Sequence, residues 1–313
     1  MSASSRPIFK PAATDVASNA ETVAVEQYST RRRGPKRMVS NIDRLLRRSR
    51  RVVSDTHPLV ERTLSTAVRY YATAHIEAAR LANAVRYDAS IDPHRLYEVD
   101  PKRIDRTVSW TRISDDLKSD EHPRFRRPKY RLAGRVFDGD WDRTADRVTD
   151  STVYRSFRAH FEQGVPWERT EFYDEMISVF EADGEQWDCR SEADLQRRCE
   201  QLDRIYERIA TDGYRTQHEL YERGHPAPSP HRTYRLIWGE IAVNIGRDGE
   251  FVFQDGRNRL AITQLLELES VPVVVLVRHR AWQRTRDRIA RGELTRADLP
   301  ERLRSHPDLV NLF

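Results

Sequence analysis

Residues 241–277 constrain the fold more tightly than any other part of the chain. Ile241, Val243 and Ile245 alternate with Ala242 and Asn244, Gly246-Arg247-Asp248-Gly249 supplies turn residues, and Phe251, Val252 and Phe253 follow. Alternation of this kind around a glycine-bounded turn predicts a β-hairpin. From residue 257 to 268 the apolar side chains Leu260, Ala261, Leu265, Leu266 and Leu268 fall at helical spacing. Val271-Pro-Val-Val-Val-Leu-Val277 then reads as a buried strand, its proline near the start, where one ladder donor can be spared. Hairpin, helix and strand form a small α/β unit whose helix begins at the end of a strand, where open α/β sheets bind ligands.

A strand that stops at Asp255-Gly256 and turns straight into a helix leaves the N–H groups of the first helical turn pointing outward. The helix dipole adds roughly half a positive charge at that end. Arg257 and Arg259 lie in the same turn, and paired guanidiniums suit a phosphate. Gly256, Arg257, Asn258 and Arg259 are therefore the expected phosphate-binding residues. Two acids lie beside them, Asp255 at the turn and Glu240 at the start of the neighbouring strand. Either could act as general base toward an acceptor hydroxyl or hold a magnesium ion. Asp255 also fits a helix cap, worth about 1 kcal/mol, or a group that orients an arginine. Glu240 equally fits a solvated acid at a strand edge.

Glu240-Ile-Ala-Val243 as an opening strand, Phe253-Gln-Asp-Gly-Arg-Asn-Arg259 as a phosphate turn and Val271-Pro-Val-Val274 as a closing strand resemble the ParB/sulfiredoxin superfamily. The resemblance implies an α+β fold with a ParB/sulfiredoxin-like small mixed sheet and helices, and composition and periodicity place a mostly helical region and a disordered basic N-terminal arm before it. It also implies a nucleoside triphosphate ligand, ATP or CTP, and with it a phosphotransferase or nucleotide hydrolase. Arg257 stands where sulfiredoxin carries its reactive cysteine, which argues against reduction of sulfinic acids. A short charged tail after His279 stands where partition proteins continue into a DNA-reading helix-turn-helix. The run Gly134-Arg-Val-Phe-Asp-Gly-Asp-Trp-Asp142 and the region around Tyr173 are similar to ParB-like proteins of archaea.

Composition narrows the remaining classes. Hydrophobic residues make up 38% of the chain and charged residues 33%, and no apolar run approaches the roughly 20 residues needed to cross a bilayer. The first 30 residues lack the apolar stretch of a secretory signal. Cys189 and Cys199, the only cysteines, make neither a disulfide framework nor a zinc set, so a reducing cytoplasm is the expected compartment. The formal charge of +5 is concentrated in residues 31–51, where Arg31, Arg32, Arg33, Lys36, Arg37, Arg44, Arg47, Arg48, Arg50 and Arg51 face a single acid, Asp43. Such a run either coats nucleic-acid phosphates by counterion release or remains a solvated arm, and no aromatic residue is interleaved to stack on bases. A DNA- or RNA-binding protein without catalysis is thus the alternative to a nucleotide-dependent enzyme. No oligomeric state follows from these features.

The expected organisation is a disordered basic arm over 1–38, a helical arm over 39–92, a helical insertion of the core domain over 93–230, and a core with a helical tail over 231–313. Leu59, Val60, Leu64, Ala67, Val68, Tyr71, Ala72 and Ile76 repeat at three and four, and Pro58 sits where a helix starts. Tyr97-Glu-Val-Asp-Pro reads as a strand and turn opening the globular unit near Leu96. Asp138, Asp140 and Asp142 alternate about Trp141, which suits either oxygen ligation of a cation or a polar turn around a buried tryptophan. Residues 153–180 predict two aromatic-bearing helices around Gly164-Val-Pro166, and Ser191 starts a helix that ends at Gly213 and carries Cys199 as a core thiol.

Overall fold

The computed structural model describes residues 58–108, 128–143, 146–181, 189, 191–225, 237 and 239–313, with side chains from Thr66 onward. The expected disordered arm 1–38 lies outside the described residues, and so does the basic segment with Arg31, Arg32, Arg33, Lys36, Arg37, Arg47, Arg48, Arg50 and Arg51. Helix α1 (Pro58–Arg86) begins at the proline, which lacks the N–H that a first helical position leaves unbonded. The chain divides after Val68, and the unit Arg69–Phe313 holds the whole sheet.

Strand β1 (Leu96–Val99) follows α1, where the sequence predicts it, and the short β2 (Arg106–Thr107) comes next. The one-turn helix α2 (Lys129–Leu132) leads into β3 (Arg135–Phe137). A helical block follows: α3 (Thr152–Gln163), α4 (Glu171–Glu181), α5 (Glu192–Asp212) and the short α6 (Gln217–Glu222). The hairpin β4 (Ile241–Ile245) and β5 (Phe251–Asp255), helix α7 (Arg257–Leu265) and strand β6 (Val271–His279) complete the sheet. Helices α8 (Arg280–Ala290) and α9 (Glu301–Arg304) close the chain.

The architecture is α+β with a six-stranded mixed sheet in the order β1-β6-β4-β5-β2, β3 pairing with β6 as well. β6 is the hub: β1 runs antiparallel to its first half, with Val99 opposite Val271, and β3 parallel to its last residues. β4 lies parallel along its other edge. Segment 93–230, expected as a helical insertion, therefore also supplies β1, β2 and β3. β2 and β3, of two and three residues, carry too little alternation to be read alone, and they pair with ladder groups that β5 and β6 present.

Alternation sorts the apolar residues into two faces. Ile241, Val243, Ile245, Phe251, Phe253, Val273 and Val275 pack with Trp282 of α8 and with Leu303 and Leu309. Ala242, Val252, Val274 and Leu276 pack with Ala72 and Ile76 of α1, Tyr130 and Leu132 of α2, and Trp141. A third cluster joins Phe157, Trp167, Phe172, Met176 and Leu202 of the helical block to Ala261 and Ile262 of α7. Each large apolar side chain buried in these cores contributes about 1.5–3 kcal/mol. The helical block forms as predicted. Ser151 and Ser191 cap α3 and α5 by accepting the N–H of Tyr154 and Asp194, and Gly164 and Gly213 terminate them. Cys199 is buried as expected, and burial pushes its thiol up to about 12.

The C-terminal segment is pinned by a charged cluster under the sheet. Arg278 and Asp308, both with fully buried side chains, form an ion pair at 2.6 Å. Trp282 Nε1 and Arg286 also donate to Asp308, and Arg278 donates to the Tyr97 hydroxyl. Burial alone would raise the Asp308 carboxyl, but Arg278 and Arg286 hold it well below the usual carboxylate range. His306 stacks on Phe251 at 4.9 Å, its Nε2 lies 2.9 Å from the Gly249 carbonyl, and its Nδ1 accepts the Asp308 N–H, so it is a neutral ring protonated on Nε2. Gly249 has φ +84°, and a Cβ there would lie 2.6 Å from the Trp282 ring. Only glycine fits beneath that indole.

Burial lowers His306 from 6.5 to about 4. Between those values the unfolded chain takes a proton that the folded chain refuses, so stability falls as pH drops from about 6.5 to about 4, by on the order of 3 kcal/mol for this group alone. Asp308, being depressed, contributes its loss only below the ordinary aspartate range, while Glu240 and Glu250, raised by burial, oppose the trend. Urea midpoints measured at pH 7.5 and pH 4.5 should therefore differ less for His306→Gln than for the native chain.

Candidate functional site

The strand-to-helix turn forms where the sequence predicts it, and its geometry depends on one glycine. Gly256 is the N-cap of α7 at φ +94°, a conformation that side chains avoid, and a Cβ there would sit 3.0 Å from Ile241 Cα on the neighbouring strand. A glycine N-cap offers no side-chain oxygen to the first turn of α7. Asp255 does not take that role either. Its Oδ1 accepts the Gly256 N–H at 2.7 Å, and its Oδ2 lies 2.6 Å from the Lys129 ammonium.

Lys129 comes from α2, on the opposite side of the turn, and its side chain is only 11% exposed whereas that of Asp255 is 55% exposed. The cation therefore lies inside and the carboxylate at the mouth. Burial pulls the Lys129 ammonium below the ordinary lysine value, opposed by Asp255. Burial alone would raise the Asp255 carboxyl, but Lys129, the Gly256 N–H and Arg259 together hold it below the ordinary aspartate value.

Arg259 is held by a buried acid. Its guanidinium donates to the Tyr214 hydroxyl at 3.2 Å and lies 3.7 Å from Glu240 Oε2. Glu240 is fully buried, its Oε2 accepting the Tyr214 hydroxyl at 2.9 Å and its Oε1 the Gln217 N–H at the start of α6, at 2.6 Å. It is thus not the solvated strand-edge acid that the sequence allows. Burial raises its carboxyl above the ordinary glutamate value despite Arg259. Glu240 anchors Arg259, Tyr214 and α6 together. Arg257 and Asn258 are half-buried on the first turn of α7.

Both oxygens of Glu240 and both of Asp255 are already engaged, and among the described residues no cluster of three His, Cys, Asp or Glu is placed to hold a metal. The aspartates of residues 138–142 form the polar turn around buried Trp141. Asp142 receives Arg247 at 2.7 Å, Asp140 receives it at 2.8 Å, and Asp138 pairs with Arg280 at 3.2 Å. Asp140 and Asp142 clamp the β4–β5 hairpin to the segment after β3, and Asp138 ties that segment to the start of α8.

The structure sets Glu240 beside Arg259 and Asp255 beside Gly256, and it adds Lys129 and Tyr214, which the sequence reading does not name. Those two reach the site only by tertiary packing, and no local pattern marks either. Comparison of the chain with protein-family models, with curated proteins and with solved structures finds no match in any of the three. Among the described residues no helix is long and apolar enough to cross a membrane.

Arg259→Met would leave Glu240 buried against Tyr214 and Gln217 without its cation. The expected loss at pH 8 is about 2 kcal/mol, below the usual cost of breaking a buried pair because Arg259 keeps some solvent contact and Glu240 can take a proton. The difference between variant and native chain in urea denaturation should shrink at pH 5, where that proton is available.

Proposed function

We propose that this chain is a ParB/sulfiredoxin-like protein that binds the phosphates of a nucleotide at the turn Asp255-Gly256-Arg257-Asn258-Arg259. The observation that supports the reading is that two largely enclosed cations, Lys129 of α2 and Arg259 of α7, flank a glycine-capped helix start at the end of a strand. Gly256 keeps backbone rather than side chain at the surface of the turn, and Arg257 adds charge on the first helical turn. ATP and CTP are the ligands that the superfamily resemblance favours.

If the bound nucleotide is turned over, Asp255 is the acid placed to act on it. Its carboxylate is half exposed, whereas Glu240 is enclosed and serves to hold Arg259. Asp255→Asn would then bind nucleotide without turning it over. A second reading, nucleic-acid binding through residues 31–51, is favoured by ten cations against one acid there. Deleting residues 1–52 should abolish DNA or RNA affinity on that reading and leave nucleotide binding intact.

Thermal-shift and calorimetric titration against ATP, CTP, GTP and UTP in magnesium-containing buffer tests the first reading. Selective stabilisation by one nucleotide, weakened at least tenfold by Arg257→Ala, is the expected result. Arg257 is the better control than Arg259, whose removal also disturbs the buried Glu240. Absence of binding by all four nucleotides would end the proposal.

A further inference from the structure

We infer that helix α1 pairs with α1 of a second copy of this chain, the two helices antiparallel, through an apolar seam on its outer face. The inference is independent of the phosphate reading of the turn after β5.

Two apolar stripes run along α1. The inner one, with Ala72 and Ile76, is buried in the cluster that covers the second face of the sheet. The outer one is Ala67, Tyr71, Ala74, Ala78, Leu81 and Val85, spaced by alternate steps of four and three residues. Val60 and Leu64 continue those steps toward the helix start, so the repeat extends over more than three heptads. Leu81 is 59% exposed and Val85 92%; Ala67, Ala74 and Ala78 are exposed too, and Tyr71 is half-buried, its ring edge-to-face with Tyr130. Charged residues make up 33% of the chain, yet none of these positions carries one.

The spacing selects the partner. A stripe that only covers a globular core follows the 3.6-residue turn, whereas a strict seven-residue repeat keeps its face toward a second helix that winds around it. A second copy brings a seam of the same spacing, and a two-fold axis through the middle of the seam makes every contact twice. With 29 residues α1 is about 43 Å long. A face about 12 Å wide then covers roughly 500 Å² on each copy and about 1,000 Å² on the pair, which reaches the lower limit of a specific interface.

Side-chain size and charge set the direction. An antiparallel pair in this register puts Tyr71 against Ala74 and Ala67 against Ala78, and sets positions 64 and 60 opposite 81 and 85, so the bulkiest group meets a small one. A parallel pair would set Tyr71 on Tyr71 between layers of alanine, holding the helices apart where small residues need close approach. It would also bring together two helix starts, each preceded in the chain by the basic segment 31–51 with ten cations against one acid. The antiparallel pair keeps those starts apart and sets the positive end of each helix dipole beside the negative end of the other.

Sedimentation equilibrium of the full chain across micromolar concentrations tests the pairing. The native chain should be a dimer. Leu81→Glu should raise the dissociation constant about a hundredfold or more and leave the far-UV spectrum unchanged, because the substituted side chain is exposed in the single copy and enclosed in the pair. Val310→Glu, at an exposed apolar residue of the C-terminal segment, should remain a dimer. For the direction, Ala67→Cys and Ala78→Cys are oxidised separately and mixed. A disulfide between the two variants supports the antiparallel pair, and a linked dimer of either variant alone overturns that direction. A monomeric native chain, or a dimer that Leu81→Glu leaves intact, overturns the pairing. A native monomer whose urea midpoint falls in Leu81→Glu would put a segment of the same chain on the seam and overturns it equally.

Discussion

Strand β6 is bonded along both edges and buried on both faces, and that double burial organises the molecule. Its nine residues offer more ladder groups than one neighbour can satisfy, so β1 and β3 divide one edge between them while β4 takes the other. Its two faces each need an apolar cover: α8 with the C-terminal segment on one side, α1 and α2 on the other. The register shift at Val243/Asn244 lets β4 stay paired to the end of β6.

The same arrangement delivers the parts of the site. With β4 beside β6 and β5 beside β4, the helix that starts after β5 meets the residue that precedes β4, and Glu240 comes under Arg259. The cover on the second face carries α2, whose first residue is Lys129, to the mouth of the turn. Gly256 makes the meeting sterically feasible, because any side chain there would press on Ile241.

Charges buried in this protein are matched one against another. Arg278 and Arg286 share Asp308, Arg247 joins Asp140 and Asp142, Arg259 faces Glu240, and Lys129 faces Asp255. In three of these sets one acid is fully enclosed. Arg278–Asp308 is sealed from solvent, Asp142 lies fully enclosed beneath Arg247, and Glu240 is fully enclosed. The Lys129–Asp255 pair has no enclosed acid: its cation is enclosed and its carboxylate half-exposed.

By itself the sequence determined the elements whose signals are local. The hairpin residues alternate, α7 begins after an Asp-Gly turn, Ser191 and Gly213 bracket α5, and the aromatic helices around Gly164 fall at helical spacing. A period or a cap needs only neighbours along the chain. Tertiary structure alone decided that β2 and β3 are strands, because two or three residues extend only when a partner strand binds them. It also decided that Arg259 turns inward to a buried acid and that Lys129 and Tyr214 join the turn. Charge pairing depends on distance in space, and residues far apart in the chain carry no mark of it until the two faces of the sheet are covered.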